Sequence, residues 1–362
     1  MSIRDIRQEE FAGVYIGCSG KGILDLCPRF GKIFTSVHIL RHLDEKKKSQ
    51  VKILVAYPDN TIKKCWQEEL KRVGYSNPNI EYTTFLSLHK HKKLVYDMVI
   101  IDEIHLLSEA QIVVLQQIDR KNKRILGLTG TLSSWTERTL LKVLRLQVIG
   151  RYSIKDAVKE GVVTDYHITV KIVPLDNTVK NQYKKHLRTE KGQFEAYSGV
   201  ISKLEREFKE TFFLRLARMR IIQNSLAKLQ ATKSLLATFS KERVLIFCGL
   251  IKVAESLGCP VFHSKSKDKK VFDDFTKGKG NHLSVVKIGN TGVTYSPLNK
   301  VIVNYFNSNS EDLAQKINRA MGMEYAGKKA DIWIISSDEE VEIRWLQKAL
   351  EFFDETKITV IR

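Results

Sequence analysis

Cysteine is scarce in this sequence, and its few residues show no pairing pattern. No two of them have the spacing that a zinc knuckle or a disulfide framework requires. Their scatter favours a reducing compartment, so we expect the protein in the cytoplasm, which would be a host cytoplasm if the source is viral. The five residues are Cys18, Cys27, Cys65, Cys248 and Cys259.

Long apolar runs are also missing. No stretch approaches the roughly 20 apolar residues that a membrane span needs. The polar start, MSIRDIRQEEF, does not have the composition of a signal peptide. We therefore expect no membrane partner.

Acidic residues are in deficit. The 362 residues include 60 Lys and Arg against 41 Asp and Glu, which gives a formal net charge of +19. Lys and Arg neutralise phosphates and release counterions, so a polyanion such as nucleic acid is the expected partner. A basic surface that binds no polyanion is the alternative.

The hydrophobic pattern indicates an α/β protein with two domains. Over the first 150 residues, apolar runs such as 51–57 and 96–107 alternate with helical patterns, which predicts a parallel sheet flanked by helices. A second alternating block begins near residue 163. It is interrupted by residues 180–243, which carry 15 Lys and Arg against 6 Asp and Glu and which we predict to be almost entirely helical. Ligands of such sheets bind at the carboxyl ends of the strands.

The stretch CPRFGKIFTS follows the first predicted strand and predicts a phosphate-binding loop. Gly31 and Lys32 open a helix there, so backbone N–H groups and the positive end of the helix would face a phosphate. The ammonium of Lys32 would reach the β- and γ-phosphates. A Gly-Lys dipeptide alone is a weak signal, and Ile33 stands where such loops carry Ser or Thr.

The stretch YDMVIIDEIH is a stronger signal. It places Asp102 and Glu103 at the end of an apolar strand, with His105 two residues further on. Two adjacent carboxylates repel each other, which is costly if their role is packing alone. One can hold Mg²⁺ while the other polarises a water molecule for attack on a γ-phosphate.

Several motifs in order resemble the superfamily 2 helicases and translocases of the DExH type, with Asp-Glu-Ile-His as the signature box. RDIRQEEF resembles the segment with the adenine-binding glutamine, here Gln8, and PRFGK the phosphate loop with Arg29. ILVAYPDN and YTTFLSL resemble the motifs that grip a nucleic-acid strand, which points to Pro58 and Thr84. LTGTL resembles the coupling motif, which includes Thr131.

The second half continues the resemblance. VLIFCGLIKVAESLG, the residue His263 and the stretch around Gly292 resemble the opening of a second RecA-like domain. SNSEDLAQKINRAMG resembles the final motif, in which Gln315 and Arg319 match and Arg319 would be an arginine finger. The pattern is most similar to phage UvsW-like and restriction-enzyme-type helicases, which hints at a viral source.

The resemblance implies two tandem RecA-like domains, at 1–152 and 153–362, with a helical insertion at about 180–240. It implies ATP and Mg²⁺ as ligands, with Asp102 and Glu103 at the metal. Nucleic acid would be the partner, DNA more than RNA, with replication or recombination proteins as further partners. Basic insertion residues such as Arg218 and Arg220 would form a DNA-facing arm, or else a solvated surface.

Two departures from the family pattern leave the activity open. Ile33 removes a hydroxyl that normally completes the Mg²⁺ site, and Gly322 stands where a second arginine is expected. The expected function is an ATP-dependent helicase or translocase that unwinds or remodels branched nucleic acid. The alternatives are a nucleic-acid-binding protein on a degenerate helicase fold with weak or no ATPase activity, and the motor subunit of a larger restriction or repair assembly.

The four tryptophans are expected to pack rather than to stack on bases: Trp66, Trp135, Trp333 and Trp345.

Overall fold

The chain forms two compact units, Met1–Thr164 and Asp165–Arg362. Each contains one large parallel sheet and its own apolar core. None of the helices in the described ranges has the length and apolar character that a membrane crossing requires. The computed structural model describes residues 1–18, 20–183, 186–266, 268–286, 295, 298–322 and 327–362.

The first unit is built on a six-stranded sheet in which all pairs are parallel. Its strands are β1 (Lys21–Leu26), β2 (Ile53–Tyr57), β3 (Ile80–Thr84), β4 (Met98–Asp102), β5 (Ile125–Thr129) and β6 (Val148–Tyr152). They lie in the order β3-β2-β4-β5-β1-β6. Strands β2, β4 and β5 are buried along their whole length, which explains their nearly continuous apolar sequences.

Six helices accompany this sheet. They are α1 (Ile3–Gly17), α2 (Lys32–Lys47), α3 (Asn60–Arg72), α4 (Glu109–Asp119), α5 (Ser134–Leu144) and α6 (Ile154–Lys159). Ser2, Ser108 and Ser153 start α1, α4 and α6 with capping boxes that satisfy two backbone N–H groups each. Helix α2 starts differently, because among the described residues no side chain caps it.

The second unit is built on a seven-stranded parallel sheet in the order β11-β12-β10-β13-β14-β7-β15. Its strands are β7 (Asp165–Val173), β10 (Val244–Cys248), β11 (Val261–His263), β12 (His282–Val286), β13 (Lys300–Val303), β14 (Lys329–Ser337) and β15 (Ile358–Ile361), and a separate antiparallel pair comprises β8 (Asn181–Tyr183) and β9 (His186–Arg188). Its helices are α7 (Glu190–Arg206), α8 (Phe212–Gln223), α9 (Leu226–Thr238), α10 (Ile251–Glu255), α11 (Lys270–Thr276), α12 (Ser310–Ile317) and α13 (Glu340–Leu350). The predicted class, α/β with two parallel sheets flanked by helices, is confirmed.

The segment predicted as almost entirely helical, 180–243, is more varied than expected. It opens with the antiparallel strands β8 and β9. Its last helix, α9, belongs to the core of the sheet, because Ala231, Leu235 and Leu236 pack there with residues of β10 and β14. Only α7 and α8 remain as a helical insertion, held by a small cluster that includes Phe194 and Ile222.

The compact units divide later than the predicted domain boundary at residues 152 and 153. Residues 153–164 lie against α1, since Arg7 pairs with Glu160 and Arg4 donates to the carbonyl of Val162. The connecting segment therefore belongs to the first unit.

A buried ion pair joins α9 to α13 in the second unit. Lys228 Nζ lies 2.6 Å from Glu342 Oε1, and the two side chains are 1% and 0% exposed. The second carboxylate oxygen of Glu342 accepts a hydrogen bond from the backbone N–H of Ser337 at 2.7 Å. The ammonium also lies 5.4 Å from the ring centre of Phe306. Both charges are thus fully enclosed and satisfied by each other and by their neighbours.

Candidate functional site

The loop between β1 and α2 has a backbone shape that few residues permit. Arg29 and Gly31 have φ angles of 70° and 100°. A Cβ atom on residue 31 would lie 2.4 Å from Nε2 of Gln8, so glycine is required for space as well as for conformation. The same amide of Gln8, which is buried, donates to the carbonyl of Phe30 at 2.7 Å. The structure thus brings Gln8 onto the loop that precedes Lys32.

Helix α2 begins at Lys32 with its first N–H groups free of side-chain caps among the described residues. Such a helix start attracts anions, because the uncapped N–H groups and the helix dipole both favour negative charge. The loop and the helix start together form a cradle suited to a phosphate group.

Lys32 meets the two adjacent carboxylates of the sequence motif. Its Nζ lies 2.9 Å from Glu103 Oε1. Asp102 ends β4, and its Oδ1 accepts from the backbone N–H of Glu103 at 3.0 Å. Glu103 itself has a φ of 55°, a left-handed conformation that is unfavourable for this residue type and that tends to occur at functional sites.

The electrostatics of this cluster shift two of its groups. Burial and the negative charge of Glu103 raise the pKa of Asp102 to about 6, against the opposing effects of Lys32 and a hydrogen bond from Trp66. For Lys32, burial favours the neutral amine, but Glu103 and Asp102 outweigh it and raise the pKa. Groups of opposite charge with shifted pKa values at the carboxyl edge of a sheet are typical of a reactive site.

Trp66 has a role here that its sequence did not reveal. It is fully buried, as expected of a packing residue, but its indole N–H also donates to Asp102 Oδ2 at 2.8 Å. The bond fixes the orientation of the carboxylate. Asp102 lies 36 residues from Trp66 in the chain, so only the folded structure could reveal the pair.

A second set of contacts connects Glu103 to the end of β5 and to the loop that follows it. His105 Nδ1 lies 2.9 Å from Thr129 Oγ1 and 3.5 Å from Glu103 Oε2. The hydroxyl of Thr129 also accepts from the backbone N–H of Thr131 at 3.4 Å. In the described part of the chain no group bonds to the buried Oγ1 of Thr131, so this hydroxyl is available to a ligand or a water molecule.

The donor set fits Mg²⁺ held by one or two carboxylates. Mg²⁺ usually keeps several waters and binds few protein groups, and within the described ranges no cluster of three or more His, Cys, Asp or Glu could hold a metal. Ile33 supplies no oxygen. The nearby hydroxyls of Thr35 and Ser36 donate instead to backbone carbonyls of their own helix, at 3.3 and 3.0 Å, so neither replaces the missing ligand.

The residues predicted to grip nucleic acid in the first unit lie at the carboxyl edge of its sheet. Thr84 ends β3 and Pro58 directly follows β2, and these strands pair with Tyr57 opposite Thr84. Thr131 follows β5, two strands further along the sheet. Pro58 and Thr84 are partly exposed, whereas Thr131 is buried.

The predicted residues of the second unit have varied environments. His263 ends β11 and is partly exposed. Gln315 lies on α12, and Arg319 lies in the 3₁₀ turn that directly continues it. The carbonyl of Gly322, at the position where an arginine was expected, accepts from Lys328 Nζ at 2.7 Å. Gly292 lies outside the described residues.

The two arginines of the predicted basic arm differ in availability. Arg218 donates to Ser198 Oγ at 3.2 Å, and its guanidinium lies 5.4 Å from the ring centre of Phe194. It is therefore engaged between α7 and α8. Arg220 is exposed.

Comparisons with known proteins support the fold. No family model matches the chain, and no curated protein matches it. Among solved structures, it is similar to the ATP-dependent Type ISP restriction-modification enzyme LlaBIII bound to DNA, with a TM-score of 0.65 and 14% sequence identity. The match covers 100% of this chain and 31% of that one, so the chain spans about a third of its length. The chain therefore has the fold of two RecA-like α/β domains, as predicted.

Proposed function

We propose that the chain is a nucleic-acid-dependent ATPase of the DExH helicase class that translocates on or unwinds DNA. The observation that supports this most is the cluster of Lys32, Asp102 and Glu103 beside an uncapped helix start. Its charges suit a triphosphate and a divalent cation. The similar solved structure is that of an ATP-dependent enzyme bound to DNA, which supports the same assignment.

Each residue has a definite task in this proposal. Lys32 leaves Glu103 and holds the β- and γ-phosphates, which frees the Glu103 carboxylate to orient and deprotonate the attacking water. Asp102, positioned by Trp66, would hold Mg²⁺, which would supply neutralisation of the phosphate charge. Gln8 and Arg29 flank the nucleotide at the loop.

The proposal also assigns roles to three residues of the second unit, which are those that the sequence resemblance implies. The resemblance to DExH helicases assigns to Arg319, with Gln315 before it, the role of an arginine finger, which is worth about 10³–10⁵ in rate where it has been measured. Gly292 belongs to the motif that meets the same nucleotide.

The nucleic acid is held through its phosphates, without a preferred sequence. Its predicted contacts are Pro58, Thr84, Thr131, His263, Arg218 and Arg220, of which Arg220 is the exposed cation. We further propose that the chain is close to phage UvsW-like and restriction-enzyme-type helicases and has a viral source. We also propose a cytoplasmic location and partners in replication or recombination.

Steady-state hydrolysis of ATP tests the proposal. We expect turnover that rises when forked DNA, single-stranded DNA or RNA is added, and a Lys32→Ala variant at background, because the phosphates lose their only lysine contact from the loop. Turnover equal to that of Lys32→Ala under all conditions would refute the ATPase. It would favour the second candidate, a nucleic-acid-binding protein on a degenerate helicase fold, which Ile33 and the engaged hydroxyls of Thr35 and Ser36 support.

Binding of Mg²⁺ is expected to weaken below about pH 6. The pKa of Asp102 lies near 6, so the carboxyl is ionised and able to coordinate above that pH and is protonated below it. Emission of Trp66, which donates to Asp102, offers a signal for Mg²⁺ titrations between pH 5 and 8. Asp102→Asn supplies the baseline, because it removes the carboxyl of Asp102 and keeps that of Glu103. A loss of binding only near pH 4, the ordinary range of a carboxyl, would contradict the prediction.

A further inference from the structure

Helix α5 carries an exposed tryptophan on a basic face. Trp135 is 71% exposed, which corrects the expectation that it packs in the core. Arg138, Lys142 and Arg145 are exposed as well. The helix follows directly from the Thr129–Thr131 loop, with Ser133 as its N-cap.

The exposed residues share one side of the helix. At 100° per residue, Trp135, Arg138 and Lys142 lie within an arc of about 60°. The buried residues Leu140 and Leu144 lie on the opposite side and join the core of the sheet. From Trp135 to Arg145 the face is about 15 Å long, at 1.5 Å per residue.

Among the residues that the structure describes, no acidic residue neutralises this face. The one acid of α5, Glu137, points elsewhere and pairs with Arg151 at 2.7 Å, and Arg151 in turn pairs with Asp25 at 3.1 Å. By contrast, Arg138, Lys142 and Arg145 make no ion pair with any residue that the structure describes. Some exposed cations of this chain do have such partners; Lys209 pairs with Glu207 and Arg215 with Glu205.

We propose that this face of α5 binds single-stranded nucleic acid, with a base stacked on Trp135 and phosphates on the three cations. An exposed indole offers a surface to an unpaired base, whereas bases within a duplex are already stacked. This contact lies apart from the predicted grips at Pro58 and Thr84, and it rests on the proposed function only in taking nucleic acid as the partner.

The affinity for a fluorescently labelled deoxythymidine oligonucleotide, measured without ATP, tests the contact in the full chain. Trp135→Ala is expected to weaken binding roughly 5- to 100-fold, the range for loss of one stacked base, and Trp135→Phe to recover much of it. Arg138→Gln combined with Lys142→Gln is expected to lower the slope of log affinity against log salt by about 1.4, or 0.7 per phosphate contact.

Lys123→Gln is the matched control. Lys123 is also exposed, but it precedes β5 at the amino end of that strand, whereas α5 follows the carboxyl end. The Lys123→Gln variant should leave both the affinity for the oligonucleotide and the salt slope unchanged. Quenching of tryptophan emission by the oligonucleotide gives a direct second readout, which should disappear in Trp135→Phe.

Unchanged affinity, salt slope and quenching in the α5 variants would overturn the inference. So would quenching by polyglutamate but not by the oligonucleotide, since that result assigns the face to an acidic protein. Failure of the proposed ATPase is distinguishable, because hydrolysis is absent in that case while the effect of the α5 variants on binding persists.

Discussion

The Glu103→Gln variant is expected to hydrolyse ATP about 10²–10⁴-fold more slowly than the wild type, the range for loss of a general base. Glutamine keeps the size of the side chain but cannot accept the proton of the attacking water. The left-handed backbone at residue 103 is unaffected by this change, so the loop should keep its shape.

The same variant is expected to bind ATP several-fold more tightly. In the structure Lys32 Nζ is held 2.9 Å from Glu103 Oε1, so a nucleotide must compete with that carboxylate for the ammonium. An uncharged amide competes less. The two effects together, slow hydrolysis with stronger binding, distinguish a catalytic base from a residue that only supports the fold.

Hydrolysis is measured under single-turnover conditions, and binding with a fluorescent ATP analogue. Glu109→Gln is the matched control, because Glu109 is an exposed acid on α4 six residues further along the chain; it should leave both quantities unchanged. A Glu103→Gln variant with normal hydrolysis would remove the general base from the proposed mechanism.

The Lys228→Ala variant is expected to lower the free energy of unfolding of the second unit by about 3–5 kcal/mol, the usual cost of leaving one buried charge without its partner. Lys228 and Glu342 are both inaccessible to water. Removal of the ammonium leaves the carboxylate of Glu342 with one hydrogen bond among the described residues, from the backbone N–H of Ser337.

Urea denaturation followed by far-ultraviolet circular dichroism measures the effect. The double variant Lys228→Met with Glu342→Gln should lose less stability than Lys228→Ala, because both charges disappear and the glutamine oxygen can still accept from Ser337. Lys209→Ala, which breaks an exposed pair with Glu207, should cost no more than about 1 kcal/mol. Equal losses for Lys209→Ala and Lys228→Ala would contradict the prediction.

The buried strands were predictable because their sequences have a simple physical cause. In β2 and β4 every residue is buried, so each strand is a nearly unbroken apolar run. The strands β6 and β15 lie at the edges of their sheets and have partly exposed residues. The sequence of β6, VIGRY, is interrupted by Gly150 and Arg151, and the apolar run of β15, ITVI, is only four residues long, so neither strand was predicted. The pair β8–β9 was mistaken for helix because a short antiparallel pair depends on partners that a local pattern does not contain.

The site residues that lie within one sequence motif were predictable. The contacts between residues far apart in the chain were not. Lys32, Asp102 and Glu103 follow from local motifs at strand ends. The bond from Trp66 to Asp102 and the contact of His105 with Thr129 join separate elements. The exposure of Trp135 was also hidden, because a tryptophan on an amphipathic helix is compatible with either side of it.

The buried ion pair of Lys228 and Glu342 also constrains how this sequence can change during evolution. Either residue lost alone leaves a chain close to the limit of its stability, since whole domains are stable by only about 5–15 kcal/mol. A lineage that discards the pair must therefore pass through a weakened ancestor or change both positions nearly together. Descendants of this chain should accordingly carry both charges or neither, and the two positions should vary as one.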